Sequence, residues 1–283
     1  MRRRRWRPGR PQPRDEGGRL SPATDARALV TGASSGIGAA YARALRARGH
    51  RLVLVARRAD RLAAIARELG GEPDVLALPL DLTEPDAGER LQGELFRRGI
   101  AVEILVNNAG VGHTGRFLEE PPERIQAMID LNVRAVVDLT RRLVPAMVAR
   151  GGGAVVNVVS TSALQPVPYF AVYAASKVFV LSFTEALASE LRGTGVKVQA
   201  LLPGLTESEF HETAGTDKVL FTRTAMMPAA AVAEESLRAL ARGRLRVIAG
   251  WQNRLVAAAQ GLVPRAWLRA VAGRLFRPRP GSA

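Results

Sequence analysis

A chain of 283 residues, 47% of them hydrophobic, is long enough to bury a sizeable core; lacking cysteine, it carries no disulfide framework, thiol nucleophile or cysteine metal site. Its three histidines, His50, His113 and His211, are widely scattered, so no metal is expected. The net charge of +15 gathers at the ends: residues 1–27 hold nine arginines against three acids and residues 251–283 six arginines and no acid, which leaves the body at only +3 and argues against a duplex-reading surface.

Residues 1–26 are rich in Arg, Pro and Gly without apolar periodicity and are expected to be a disordered basic tail. A solvated tail or misplaced start, an arm drawn to membrane or nucleic acid, and a targeting peptide all remain open for it. No apolar segment follows its arginines, which argues against a secretory signal, and no run of 18 apolar residues predicts a spanning helix. A cytoplasmic protein is expected.

From Ala28 the pattern becomes regular. Short apolar runs at 28–32, 51–56, 75–80, 103–108, 154–160, 196–202 and 246–250 alternate with longer helical stretches. Continuous β-branched runs separated by helices signal a parallel sheet buried on both faces. The fold class expected is α/β, a doubly wound parallel sheet of about seven strands, in one domain over 27–250 followed by a helical C-terminal extension over 251–283.

The first strand-to-helix turn, "TGASSGIG" at 31–38, places Gly32, Gly36 and Gly38 where a strand must turn sharply, let backbone approach a phosphate and open a helix whose N-terminus offers free N–H groups. Ser34, Ser35 and Ile37 belong to the same candidate cofactor loop. Further on, "YAASK" sets Tyr173 four residues before Lys177, on one helix face. Alone, that spacing also describes an exposed surface pair.

Together these segments resemble the short-chain dehydrogenase/reductase family. The glycine turn, "NNAG" at 107–110, "LNV" at 131–133, Ser160 thirteen residues before Tyr173, "YAASK" and "PG" at 203–204 occur in the family's order over about residues 27–250. The bacterial subgroup it most resembles is similar to very-long-chain 3-oxoacyl reductases. The resemblance implies a Rossmann fold and a tetrad of Asn132, Ser160, Tyr173 and Lys177. Tyr173 would exchange a proton with a carbonyl or alcohol oxygen, Ser160 would hydrogen-bond that oxygen, and Lys177 would lower the phenol pKa and hold the nicotinamide ribose. Thr161 and Ser162 compete for the serine role, but the spacing selects Ser160. Asn132 would bend its helix and support a water path to the lysine, or be a satisfied interior amide. Asp81 and Leu82 match the adenine edge, where Asp81 could also cap a turn; Asn108, Ala109 and Gly110 match the segment lining the cofactor, joined by Pro203, Gly204 and Thr206.

At the end of the second strand, "VLVARRADRL" offers Arg57 and Arg58 and no acid before Asp60. Arginine suits a 2′-phosphate, so NADP(H) is expected in preference to NAD(H), with Arg57 the candidate contact and a plain surface role its alternative. The segment 205–227 is where the family keeps a lid; Phe210, Phe221, Met226 and Met227 could line an apolar pocket or pack the lid itself. In the extension, a helix after Pro264 would put Trp267, Leu268, Val271 and Leu275 on one face, away from Arg265, Arg269 and Arg277. That face could rest on an anionic membrane or pack on the lid or a partner subunit. The partners expected are a small apolar carbonyl or alcohol substrate and a second copy, as homodimer or homotetramer, through helices near 122–149 and 169–191. Two other readings stay open: a catalytically weak NADP(H) sensor, and a nucleic-acid binder using the basic tail, with no specific nucleic acid expected.

Overall fold

The structure is a computed structural model describing residues 25–216, 226–260 and 263–277. Nearly all of the expected N-terminal tail, Phe221 and the last six residues lie outside the described residues. Seven parallel strands form one sheet: β1 (Asp25–Thr31), β2 (Arg51–Ala56), β3 (Val75–Pro79), β4 (Ile100–Asn107), β5 (Gly153–Val158), β6 (Val196–Leu202) and β7 (Arg246–Ile248), in the order β3-β2-β1-β4-β5-β6-β7. The chain winds outward from β1 in both directions, so the order reverses between β1 and β4, and a crevice must open beyond their carboxyl ends.

The strands are apolar on both faces, and their side-chain alternation assigns them to two cores. Ala28, Val30, Leu52 and Leu54 point to the side covered by α1 (Gly36–Arg46), α2 (Ala59–Glu68) and α8 (Ala229–Ala241), while Leu29, Val53 and Val55 point to the side covered by α3 (Ala87–Arg97) and α5 (Ala135–Ala149). At the core of the first side the buried Tyr41 hydroxyl donates to Ser236 of α8, whose own hydroxyl donates to Gln199 of β6.

α4 (Pro122–Ile129) runs into α5 through a π-helical turn, Asp130–Arg134, which contains Asn132. The remaining helices are α6 (Ala171–Glu190), the single turn α7 (Phe210–Thr213), α9 (Trp251–Gln260) and α10 (Arg265–Leu275). Helix α6 has the length and mean hydropathy, 1.3, of a membrane-crossing helix. Here it packs along β5 and β6 and carries Tyr173 and Lys177 inward, so its apolar character is that of a core helix.

A buried polar ladder ties α6 to the middle of the sheet. Asn107 of β4 donates to Asn157 of β5 at 2.9 Å, and Asn157 donates to Thr184 of α6 at 2.9 Å. None of these three is more than slightly exposed.

The C-terminal helix forms after Pro264 as the sequence suggests, but the expected apolar face is divided. Trp267 and Val271 are exposed, whereas Ala272 and Phe276 are buried against the body. Small residues permit close approach: a Cβ on Gly273 would stand 3.4 Å from the Pro168 ring. The contact therefore runs through Ala272, Gly273 and Phe276, with Leu275 of the expected face packed beside them.

Candidate active site

The cleft at the carboxyl ends of β1 and β4 has a volume of about 440 Å³ and is lined by the glycine turn, the ends of β4 and β5, the start of α6 and the lid segment. Gly32 and Gly36 have φ values of 65° and 53°, the left-handed region that favours glycine. A Cβ on Gly38 would stand 2.2 Å from the Gly32 carbonyl oxygen, so only glycine lets α1 begin tight against the turn. Ser35 caps α1 by position but makes no side-chain capping bond, and no acid lies in the first turn, so the N–H groups of this eleven-residue helix face the cleft uncapped.

Thr31 locks the opposite lip, and the sequence reading did not single it out. Its hydroxyl oxygen accepts from the N–H groups of Asn108 and Ala109, both at 3.0 Å, while Asn108 Nδ2 donates to the Thr31 carbonyl at 2.9 Å. The signal was present, because a threonine at the strand end is the one side chain there with both a donor and an acceptor. Gly110 lies in front of the lysine: a Cβ there would stand 3.4 Å from Lys177 Nζ and 3.1 Å from Asn132 Oδ1.

The four tetrad candidates converge at the floor of this cleft. Ser160 follows β5 and caps a 3-10 turn, Thr161–Leu164, its Oγ accepting from Ser162 N–H at 3.1 Å. Its hydroxyl lies beside the Tyr173 phenol and favours the phenolate. Thr161 and Ser162 also border the cleft, but Ser160 is the hydroxyl that acts on the phenol's ionisation. Lys177, one turn along α6, is buried and donates to the Val158 carbonyl at 2.9 Å, with Nζ 5.6 Å from the centre of the Tyr173 ring. Asn132 is fully buried; Oδ1 accepts from Val111 N–H at 2.9 Å, and Nδ2 donates to Val111 O at 2.9 Å and to Ser176 Oγ at 3.1 Å. Its side chain is thus a satisfied clamp between the π turn, the strand-four loop and α6.

The electrostatics depart from expectation at the phenol. Burial pushes Tyr173 up to about 12, opposed by the neighbouring Ser160 hydroxyl. The expected lowering by Lys177 does not prevail, because burial also pushes Lys177 down to about 8 and its ammonium serves the Val158 carbonyl. In the protein alone desolvation dominates both groups.

At the adenosine end Arg57 and Arg58 part company. Arg57 is more than half exposed and stands 3.8 Å from the Asp81 carboxylate. Arg58 reaches back to the turn, donating to Ser35 Oγ at 2.9 Å, Ser34 Oγ at 3.2 Å and the Glu209 carboxylate at 2.7 Å. Arg61 also donates to Glu209, so both ends of α2's first turn hold the residue before α7. Asp81 accepts from Thr83 N–H and Oγ1 at 2.9 and 2.7 Å, a turn role compatible with a contact to adenine through its other oxygen. Leu82 lies beside it in the cleft wall.

Pro203, Gly204 and Thr206 line the far end, with Thr206 Oγ1 donating to the Gly204 carbonyl at 3.1 Å. Of the lid candidates Phe210 borders the cleft, its ring centre 5.3 Å from that of Tyr173. Met227 instead packs on the main core and bridges to Thr206, and Met226 is likewise absent from the lining. The sequence reading missed Phe170 and Phe276: Phe170 stacks on Tyr173 with ring centres 4.3 Å apart, and Phe276 stacks on Phe170 at 5.8 Å.

The residues present fit a nicotinamide dinucleotide. Glycines bring backbone within reach of a pyrophosphate, an uncapped helix N-terminus and Arg58 supply positive potential, and Lys177 lies behind a glycine at the opposite end. Comparison with known proteins agrees. A very-long-chain 3-oxoacyl-CoA reductase of Bos taurus is 35% identical over 182 residues, 62% of this chain and 58% of that protein, so the chain spans less than two thirds of that relative's length. A short-chain dehydrogenase from Sphingobium yanoikuyae in complex with NADPH is 35% identical with a TM-score of 0.73, covering 84% of this chain and 94% of that one. A bulky-bulky ketone specific alcohol dehydrogenase from Comamonas testosteroni is 30% identical with a TM-score of 0.70, covering 87% and 97%. The short chain dehydrogenase family model matches residues 26–219, the stretch that holds the glycine turn, the serine, the tyrosine and the lysine, and the chain belongs to that family.

Proposed function

We propose that this protein is an NADP(H)-dependent oxidoreductase that interconverts an apolar carbonyl compound and the corresponding secondary alcohol. The observation that carries the reading is the Ser160–Tyr173–Lys177 arrangement at the floor of a cleft whose inner wall is aromatic. When bound, the nicotinamide supplies or accepts the hydride.

In the reducing direction the carbonyl oxygen lies against Tyr173 Oη and Ser160 Oγ. As the carbonyl carbon gains hydride, the π electron pair moves to oxygen, which takes the Tyr173 proton while Ser160 holds the developing charge. The phenolate left behind is near the Lys177 ammonium, which favours it by Coulomb attraction in a dry site. A phenol pushed up to about 12 stays protonated at neutral pH, which suits a proton donor. Gly32 to Gly38 and the start of α1 would hold the pyrophosphate, Asp81 and Leu82 the adenine, Asn108 to Gly110 the strand-four side, Lys177 the ribose, and Pro203, Gly204 and Thr206 the nicotinamide end.

NADP(H) preference is supported by Arg58 beside the turn serines, where a 2′-phosphate would fall, and by Arg57 beside Asp81. Apolar bulk in the substrate is supported by Phe210, Phe170 and Phe276 around Tyr173, and by the bulky ketones named for the Comamonas relative. Pairing of copies through α4 and α6 is supported by exposed Ile129, Val178 and Phe179.

The test is NADPH oxidation against ketones, aldehydes and 3-oxoacyl thioesters of increasing chain length, with Tyr173→Phe as control. Turnover of apolar carbonyls that drops at least about a hundredfold in the variant supports the reading. Silence across the panel, or turnover indifferent to Tyr173, overturns it.

A further inference from the structure

Helix α10 and the residues just before α6 form one wall, and space lies on both sides of it. On the inner side Phe170 and Phe276 line the catalytic cleft. On the outer side their chain neighbours Pro168, Tyr169, Gly273 and Arg277 line a second cavity of about 740 Å³. The wall is one residue thick in each segment, and its inner surface is the Phe170–Phe276 stack, at 5.8 Å between ring centres and 19° between planes.

The two segments are fastened where they meet. Phe276 is 5% exposed and belongs to the same apolar cluster as Tyr173 and Phe170. Outside, Arg277 Nε donates to the Tyr169 hydroxyl at 3.4 Å. Tyr169 holds a left-handed φ of 64°, costly for a residue with a side chain, at the position immediately before Phe170. Such strain persists only where surrounding contacts impose it, and here it coincides with the partition.

Resting on the reading of Tyr173 as proton donor to an apolar carbonyl, we propose that Phe276 is a specificity-determining residue. Its ring closes the far end of the substrate pocket and limits the length of the apolar group that the reacting carbon can carry. The limit is imposed by a helix outside the stretch matched by the family model. Beyond the partition the outer cavity carries more positive than negative charge: Arg116, Arg274 and Arg277 line it against one carboxylate, Glu120, and neither Arg274 nor Arg277 has a carboxylate partner among the described residues. A chain that crossed the partition with an anionic end would therefore meet complementary charge.

The experiment compares wild type and Phe276→Ala on a series of unbranched methyl ketones of increasing length, with and without a terminal carboxylate. The expected result is that wild type loses kcat/KM beyond a certain length, and that Phe276→Ala raises the long-to-short ratio about tenfold or more. In the opened variant the carboxylated long ketones gain most, and that gain disappears in Phe276→Ala/Arg274→Gln, a readout that general loosening of the helix would not move. An unchanged length profile in a folded Phe276→Ala overturns the inference while leaving the proposed activity standing. If wild type reduces none of the series, calorimetric binding of the same ketones to the NADP⁺-loaded proteins decides: equal affinities of the two proteins for the long ketones overturn the inference, and tighter binding by the variant alone supports it. Should Phe276→Ala fail to fold, Phe276→Leu carries the same comparison with an expected ratio change of about threefold.

Discussion

Lys177 Nζ donates to the main-chain carbonyl of Val158 at 2.9 Å, so the ammonium beside the Tyr173 phenol is held by the end of β5. Its proton is the labile one in this site: burial pushes Lys177 down to about 8, whereas Tyr173 goes up to about 12. The kcat/KM for the nicotinamide cofactor reports ionisations of the free enzyme. In the reducing direction it should fall above pH 8, as Lys177 loses its charge, with no further limb from the phenol below pH 12. A pH-rate profile that stays level to pH 10 would refute this, and Lys177→Arg should flatten the limb by keeping a cation there.

The same burial makes Lys177 a stability cost, with a definite sign. The folded protein binds this proton less tightly than the unfolded chain, whose lysine has the ordinary value of 10.5, so stability rises with pH between about 8 and 10.5. Lys177→Met removes the cost, which is fully present below pH 8. The variant should be more stable at pH 7 by roughly 1–3 kcal/mol and lose that advantage by pH 10.5, while being inactive. Thermal melts at the two pH values check it.

Cofactor choice should depend on Arg58 more than on Arg57. Arg58 joins the turn serines to Glu209, while Arg57 is more than half exposed. Arg58→Ala should weaken NADPH binding about tenfold or more and change NADH binding little, with Arg57→Ala the milder variant. Fluorescence titration of both cofactors measures it, and equal losses for NADPH and NADH would remove Arg58 from phosphate recognition.

Far from the cleft, Tyr41→Phe should cost about 1–3 kcal/mol, because Ser236 would keep its donor role toward Gln199 but lose the proton it accepts. Urea denaturation with an unchanged slope and a lower midpoint is the expected signature.

The seven apolar runs read from the sequence all became strands, with boundaries within a few residues, because parallel strands buried on both faces leave an unbroken apolar trace. Ser160 lies just past the end of β5 at Val158, which frees it to cap the 3-10 turn. What was illegible depends on distance in space. The wheel drawn after Pro264 put Trp267, Leu268, Val271 and Leu275 on one face; Leu275 packs on the body, while Trp267 and Val271 are exposed and the close contact runs through Ala272 and Gly273, where a missing side chain allows approach. The choice between adjacent Arg57 and Arg58 turns on the extended backbone of Arg58 at the start of α2 (φ −79°, ψ 92°). The direction of the Tyr173 shift depends on burial, a property of the folded pocket that the i,i+4 spacing does not carry.

The ladder from Asn107 through Asn157 to Thr184 sets the axial position of α6. Two neighbouring residues of β5 hold the helix at points seven residues apart: Val158 accepts from Lys177, and Asn157 donates to Thr184. Seven residues are nearly two full turns, about 10 Å along the axis, so both ties leave the same side of the helix. An apolar contact would let α6 slip by fractions of a turn at little cost, whereas two directional bonds in series permit one phase only. The sheet thereby acts as a vernier for the phenol oxygen, and replacing Asn157 with an apolar isostere would blur the position of Tyr173 from more than a turn of helix away.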